Sequence, residues 1–162
     1  MPFSLSQLGS AVGALLKERK QTIAAVESSA GGLINAALVA VPGASAYYLG
    51  GGVVYTAAAR EALLGIGKLN VTGMRSASEP YAALLAQTVR RKLGTTWGLS
   101  ETGASGPTGN RYGDAAGHAC IAVSGPLEAV ITVETGSAGR EANMWEFARR
   151  ALELLEACLR KA

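Results

Sequence analysis

The sequence predicts an α/β fold in which a mixed five-stranded sheet lies between helical layers. Two observations carry this. Short runs rich in β-branched residues alternate with longer stretches whose apolar residues recur at helical spacing, the pattern of strand–helix–strand units. Near the carboxyl end, the strand-like runs 118–123 and 127–134 are joined by a short turn at Gly125-Pro126, which makes them an antiparallel hairpin. The 162 residues are expected to form a single domain, long enough to bury a substantial core.

Taken in order, Leu5, Leu8, Val12, Leu15 and Leu16 mark the first helix, capped by Ser4 or Ser6 and ending near Lys20. Thr22–Val26 is the first strand, and Leu33–Val41 a helix stopped by Pro42-Gly43. Val53-Val54-Tyr55 is read as the second strand. The glycines 50–52 ahead of it leave room for something to approach the backbone closely. Ala57–Leu64 is a short helix ended by Gly65, followed by a polar loop through Asn70 and Gly73. Ser78-Glu79-Pro80 starts a helix with a hydroxyl cap, an early carboxylate and a first-turn proline, and that helix runs to about Leu93. Trp97–Thr102 is the third strand. The loop from Gly103 to Gly117, with five glycines and one proline, is longer than a connection needs. After the hairpin, Trp145, Phe147, Ala148, Leu152, Leu155 and Leu159 define a closing amphipathic helix from about Arg140.

Composition excludes several function classes. Fifteen basic residues against twelve acidic ones leave a net charge of +3. The basic clusters sit on helix surfaces without interleaved aromatics, so no nucleic-acid face is expected. With no apolar signal core and no run of transmembrane length, no membrane partner is expected, and the protein is read as soluble and cytoplasmic. Cys120 and Cys158 are expected to be buried free thiols. Asp and Glu show no metal-ligand spacing, so neither metal nor cofactor is expected.

The chemistry concentrates on residues 22–32. A strand that breaks on Glu27-Ser28-Ser29 and resumes as a helix after Gly31-Gly32 puts small polar groups at the carboxyl edge of a sheet, where open α/β sheets bind ligands. The glycines let backbone N–H groups approach a ligand, and the new helix start favours negative charge. Ser28 and Ser29 are candidate nucleophiles, although both also fit the role of helix caps. Ser105 stands in Gly103-Ala104-Ser105-Gly106-Pro107, which lacks the second glycine of a nucleophile elbow and opens no helix; Gly103 and Gly106 read instead as a loop wall against a ligand. His118, the single histidine, begins an alternating strand and reads as structural. Tyr55 can position a ligand or relay a proton, and Arg60 and Arg140 suit a phosphate or carboxylate.

Side by side, these stretches resemble the CinA C-terminal domain family, the nicotinamide-nucleotide amidases. The family's Glu-Ser-Cys-Thr-Gly-Gly is similar to Glu27-Ser28-Ser29-Ala30-Gly31-Gly32, and its Pro-Gly-Ala/Ser-Ser turn to Pro42-Gly43-Ala44-Ser45. Its Val-x-Tyr-Ser resembles Val53-Val54-Tyr55-Thr56, and its Val-Ser-Glu helix start Ala77-Ser78-Glu79. Its Thr/Ser-Gly-Ile-Ala-Gly-Pro loop is similar to Thr102–Pro107, and its Gly-Asp-Arg to Ala138-Gly139-Arg140. The resemblance covers about Leu8 to Leu159 in matching order.

It implies a three-layer α/β/α sandwich with a mixed, mainly parallel five-stranded sheet and one antiparallel hairpin strand. It also implies a homo-oligomer, and metal-free hydrolysis of nicotinamide mononucleotide to nicotinic acid mononucleotide and ammonia. The pyrophosphatase-like domain often fused ahead has no counterpart here, so the stand-alone form is expected. The family's nucleophile corresponds to Ser28, its tyrosine to Tyr55 and its substrate-binding arginine to Arg140. The expected catalytic positions are therefore Ser28, Tyr55 and Arg60; the expected substrate-binding positions are Ser29, Gly31, Gly32, Gly103, Ser105, Gly106 and Arg140. Four places depart from the pattern. Arg60 replaces the catalytic lysine, Ser29-Ala30 the Cys-Thr pair, Asp114-Ala115-Ala116 a Lys-Pro-Val, and Met144 a second arginine. A guanidinium stays protonated in proteins, so residue 60 cannot take a proton from Ser28. Deamidation by that route is expected to be slow or absent. The alternative is a family member that binds a nucleotide-like anion, or a partner subunit, without catalysis.

Overall fold

The computed structural model describes residues 4–162. Ser4 opens helix α1 (Leu5–Arg19) with a capping box: its hydroxyl accepts from the Gln7 N–H at 3.1 Å, and the Gln7 side chain accepts from the Ser4 N–H at 2.9 Å. Strand β1 (Ile23–Glu27), helix α2 (Leu33–Val39), strand β2 (Tyr48–Val53) and helix α3 (Ala57–Leu64) follow. Helix α4 (Glu79–Leu93) starts at the Ser78 cap with Pro80 in its first turn, and stops at Gly94 in the left-handed conformation. Strands β3 (Trp97–Ala104), β4 (His118–Ser124) and β5 (Ala129–Glu134) lead to helix α5 (Arg140–Lys161).

The sheet order is β2-β1-β3-β4-β5. β1 is parallel to both β2 and β3, while β4 is antiparallel to both β3 and β5. Four strands therefore run one way and β4 alone runs against them, as the hairpin requires. Helices α1, α2 and α5 cover one face, where Ile23, Ala25, Trp97 and Leu99 join Leu16, Leu38, Phe147 and Leu155 in the main core. Helices α3 and α4 cover the other, over Ala24 and Val26. The three layers follow from β1 and β4 being buried along their whole length, whereas the edge strands β2 and β5 alternate.

Most boundaries shift by a residue or two, and the second strand differs most from expectation. β2 is Tyr48–Val53, so glycines 50–52 are the strand itself and Tyr55 lies two residues beyond its end. A Cβ on Gly51 would stand 1.8 Å from the Ala25 carbonyl oxygen and 2.6 Å from Asn35 Oδ1. What approaches this backbone is β1 and α2, and pairing with β1 outweighs glycine's poor strand propensity. Both cysteines are buried free thiols. Among the described residues no helix is long and apolar enough to cross a membrane.

Candidate active site at the carboxyl edge of the sheet

β1 and β2 stop together, with Glu27 paired to Val53 and the Val54 N–H donating to the Glu27 carbonyl at 2.8 Å. Parallel strands that end in register deliver Ser28 and Tyr55 to the same edge. There Ser28, Tyr55, Arg60 and Gly103 line one cleft of about 360 Å³ with Thr102, Arg111 and Tyr112. Ser29, Ser105, Gly106 and Arg140 line a second, of about 280 Å³. Tyr55, Gly103 and Asn110 border both, so the two clefts adjoin. The loop after β3 is thus divided between them.

Tyr55 is 60% exposed and stands between the clefts. Its hydroxyl accepts from Arg140 Nη2 at 3.1 Å, while Arg140 Nη1 donates to the Gly106 carbonyl. The last helix thereby ties its first residue to the loop wall. Arg60 is only 9% exposed. Its Nε donates to the Ile66 carbonyl at 3.0 Å and its guanidinium lies 5.9 Å from the centre of the Tyr81 ring. Among the described residues its terminal nitrogens have no hydrogen-bond partner, and the residue lines the larger cleft.

Gly31 and Gly32 line neither cleft. They turn the chain with φ of +68° and +107°, and a Cβ on Gly31 would stand 2.7 Å from Met144 Cε. The negative charge favoured at the start of α2 comes from within the chain. Glu27, fully buried, accepts from the N–H groups of Ile34 at 3.1 Å and Asn35 at 2.8 Å, and from Asn35 Nδ2 at 2.8 Å. This helix end is therefore occupied rather than open to a ligand.

A second buried carboxylate went unnoticed in the sequence. Glu101 on β3 lies one step beyond the Val26–Ser100 pair, next to Glu27, and is wholly buried. One carboxylate oxygen accepts from the N–H groups of Ser28 at 3.0 Å and Ala30 at 2.9 Å. The other accepts a hydrogen bond from the Ser29 hydroxyl. Burial pushes the Glu101 carboxyl up to about 7 against the pull of these three hydrogen bonds, and the neighbouring Glu27 charge adds to the rise. The available signal was a single carboxylate inside the apolar run Trp97–Thr102, but nothing in the sequence paired it with a serine 72 positions earlier.

Arg111 and Tyr112 were likewise missed, because a long loop has no periodicity to aim its side chains. Arg111 Nη2 donates to the Tyr112 hydroxyl at 3.0 Å, and the Ser76 and Tyr112 hydroxyls are 3.1 Å apart. The loop is pinned by a salt bridge between Arg75 and Asp114, whose carboxylate also accepts from Asn110 Nδ2 at 2.8 Å. His118 lines neither cleft. Its ring bonds Glu134 and the Ala77 carbonyl, joining the hairpin to the start of α4. Among the described residues no group of three His, Cys, Asp or Glu side chains could hold a metal ion. What the two clefts bring together is Ser28, Ser29 and Ser105, Tyr55 and Tyr112, and the guanidinium groups of residues 60, 111 and 140, a setting for an anionic ligand.

Comparison with known proteins gives the family. The model of the CinA C-terminal domain matches residues 5–159. A CinA-like protein of Prochlorococcus marinus is 39% identical over 119 residues, which are 74% of this chain and 28% of that protein. One from Gloeobacter violaceus is 40% identical over 121 residues, 75% of this chain and 28% of its own length. The chain thus spans little more than a quarter of these relatives. Among solved structures, a competence/damage inducible protein from Agrobacterium tumefaciens superposes with a TM-score of 0.86 at 26% identity, covering 99% of this chain and 98% of its own. A CinA superfamily protein from Klebsiella pneumoniae gives 0.91 at 22% identity over 99% of this chain and all of its own, a likeness of fold. The chain belongs to the CinA C-terminal domain family.

Proposed function

We propose that this protein is an amidohydrolase acting on the carboxamide of a phosphorylated pyridine nucleotide, releasing ammonia, with nicotinamide mononucleotide as the substrate the family resemblance implies. The observation that carries this reading is the convergence of Ser28, Ser29, Tyr55 and Arg140 on two adjoining clefts at one sheet edge. At about 360 and 280 Å³ the clefts together suit a mononucleotide, since small-ligand sites run from about 300 to 1,000 Å³. In this reading Arg60 and Arg111 hold the phosphate in the larger cleft. The carboxamide lies in the smaller one, against Tyr55 and Arg140. Arg60 is a binding group, because a guanidinium cannot serve as the proton acceptor.

That same chemistry favours a second reading, in which the site binds the nucleotide without turning it over. Ammonia release and calorimetric binding, both with nicotinamide mononucleotide, separate the two. Turnover above the spontaneous rate supports the amidohydrolase. Binding without ammonia supports the second reading, and absence of both defeats each.

A further inference from the structure

We propose that Ser29, rather than Ser28, is the activated nucleophile of this site, with Glu101 as its general base. For its substrate the proposal rests on the amidohydrolase reading; the activation of Ser29 is tested separately below.

A serine becomes a nucleophile when its hydroxyl proton already points at a base held in place by other groups. Ser29 meets this requirement. Its hydroxyl donates to one Glu101 oxygen, and the Ser28 and Ala30 N–H groups fix the other at 3.0 and 2.9 Å, so the carboxylate cannot swing away. Among the described residues the hydroxyls of Ser28 and Ser105 have no such partner. Ser29 also lines the smaller cleft, where Arg140 and Tyr55 supply donors for a developing oxyanion.

The surroundings of Glu101 favour its taking a proton. It is wholly buried beside a second buried carboxylate, Glu27 of β1, so neutralising it removes an unfavourable charge. Across the strand pair β4 offers Ile121, α2 brings no titratable group, and from α5 the charged residue at the cleft is Arg140. Its elevated affinity for protons, near neutral pH, is what a general base needs.

The reaction then balances as follows. The Ser29 Oγ forms a bond to the carboxamide carbon while its proton passes to Glu101, and the carbonyl π pair moves onto oxygen beside Arg140. As the carbon–nitrogen bond breaks, Glu101 returns the proton to the departing amine, giving ammonia and an ester on Ser29. Water attacks that ester, Glu101 receives its proton, and the proton returns to Ser29 Oγ as the acid leaves. The sum is amide plus water to acid plus ammonia.

The test is labelling of the intact protein with a fluorophosphonate, with the modified residue located by fragment-ion mass spectrometry and the rate measured from pH 5 to 9. The adduct is expected on Ser29, forming faster as pH rises through about 7 as Glu101 ionises. Glu101→Gln keeps the shape of the side chain and should slow labelling at pH 8 at least about 100-fold while abolishing the pH dependence. Labelling on Ser28 alone, no labelling, or a wild-type pH profile in Glu101→Gln overturns the proposal; the first two outcomes need no variant to fold. A Ser29 adduct without ammonia from nicotinamide mononucleotide keeps the nucleophile and defeats the substrate reading. Ammonia release that survives in Ser29→Ala does the reverse.

Discussion

Glu101 shows how far one side chain can be moved by where it is placed. A carboxyl whose affinity for protons is higher folded than unfolded stabilises the fold most when protonated. That stability is present below the unfolded value of 4.5 and is lost as pH rises to the folded value of about 7. By linkage the loss amounts to about 3 kcal/mol. Glu101→Gln carries no charge at any pH, can accept the Ser28 and Ala30 N–H bonds, and can donate to Ser29 Oγ. Its stability relative to wild type should therefore rise by about 3 kcal/mol between pH 4.5 and 8. Urea unfolding of both proteins across that range checks it, and parallel pH curves would show that Glu101 is not protonated preferentially in the folded state.

At the scale of elements, the site depends on β1 and β2 ending in register, and that register depends on a glycine. The Gly51 Cα faces Ala25 and Asn35 so closely that a methyl group must push β2 away from β1 or displace α2. Asn35 in turn holds Glu27 through two hydrogen bonds. Gly51→Ala should cost about 3 kcal/mol or more. Gly52→Ala, whose added carbon would sit 3.6 Å from Leu63 Cδ1 in ordinary contact, should cost much less. Thermal unfolding of the two variants decides this, and equal melting temperatures would remove the close approach as the reason for the glycine run.

Over the whole molecule, a modest net charge of +3 is focused by the fold, with the guanidinium groups of residues 60, 111 and 140 on one sheet edge. Binding of nicotinamide mononucleotide should weaken as salt is raised from 50 to 500 mM, since exposed charge pairs are screened on the scale of about 10 Å at 0.1 M. Arg140→Ala should weaken it about tenfold or more. Arg90→Ala should leave it within about twofold, because Arg90 lies at the opposite end of β3 holding the Thr96 carbonyl at 3.1 Å. Titration calorimetry at the two salt concentrations reads all three effects. Equal affinities throughout would mean that the cluster does not hold the nucleotide.

The sequence by itself determined the α/β class, the order of helices and strands, the hairpin that reverses β4, and the family. Those properties are written in local patterns: apolar spacing, capping residues such as Ser4 and Ser78, and short motifs such as Glu27–Gly32. It also singled out Ser28, Tyr55, Arg60 and Arg140, because strand ends and helix starts can be located along a chain. Only the tertiary structure decided that glycines 50–52 are a strand, since that follows from the space left by Ala25 and Asn35. Only it set Glu101 beneath Ser29 and gave Glu27 to the start of α2. The physical reason is that a buried carboxylate is defined by its partners and by its loss of water. Both arise when β3 is inserted between β1 and β4, bringing together residues 72 positions apart.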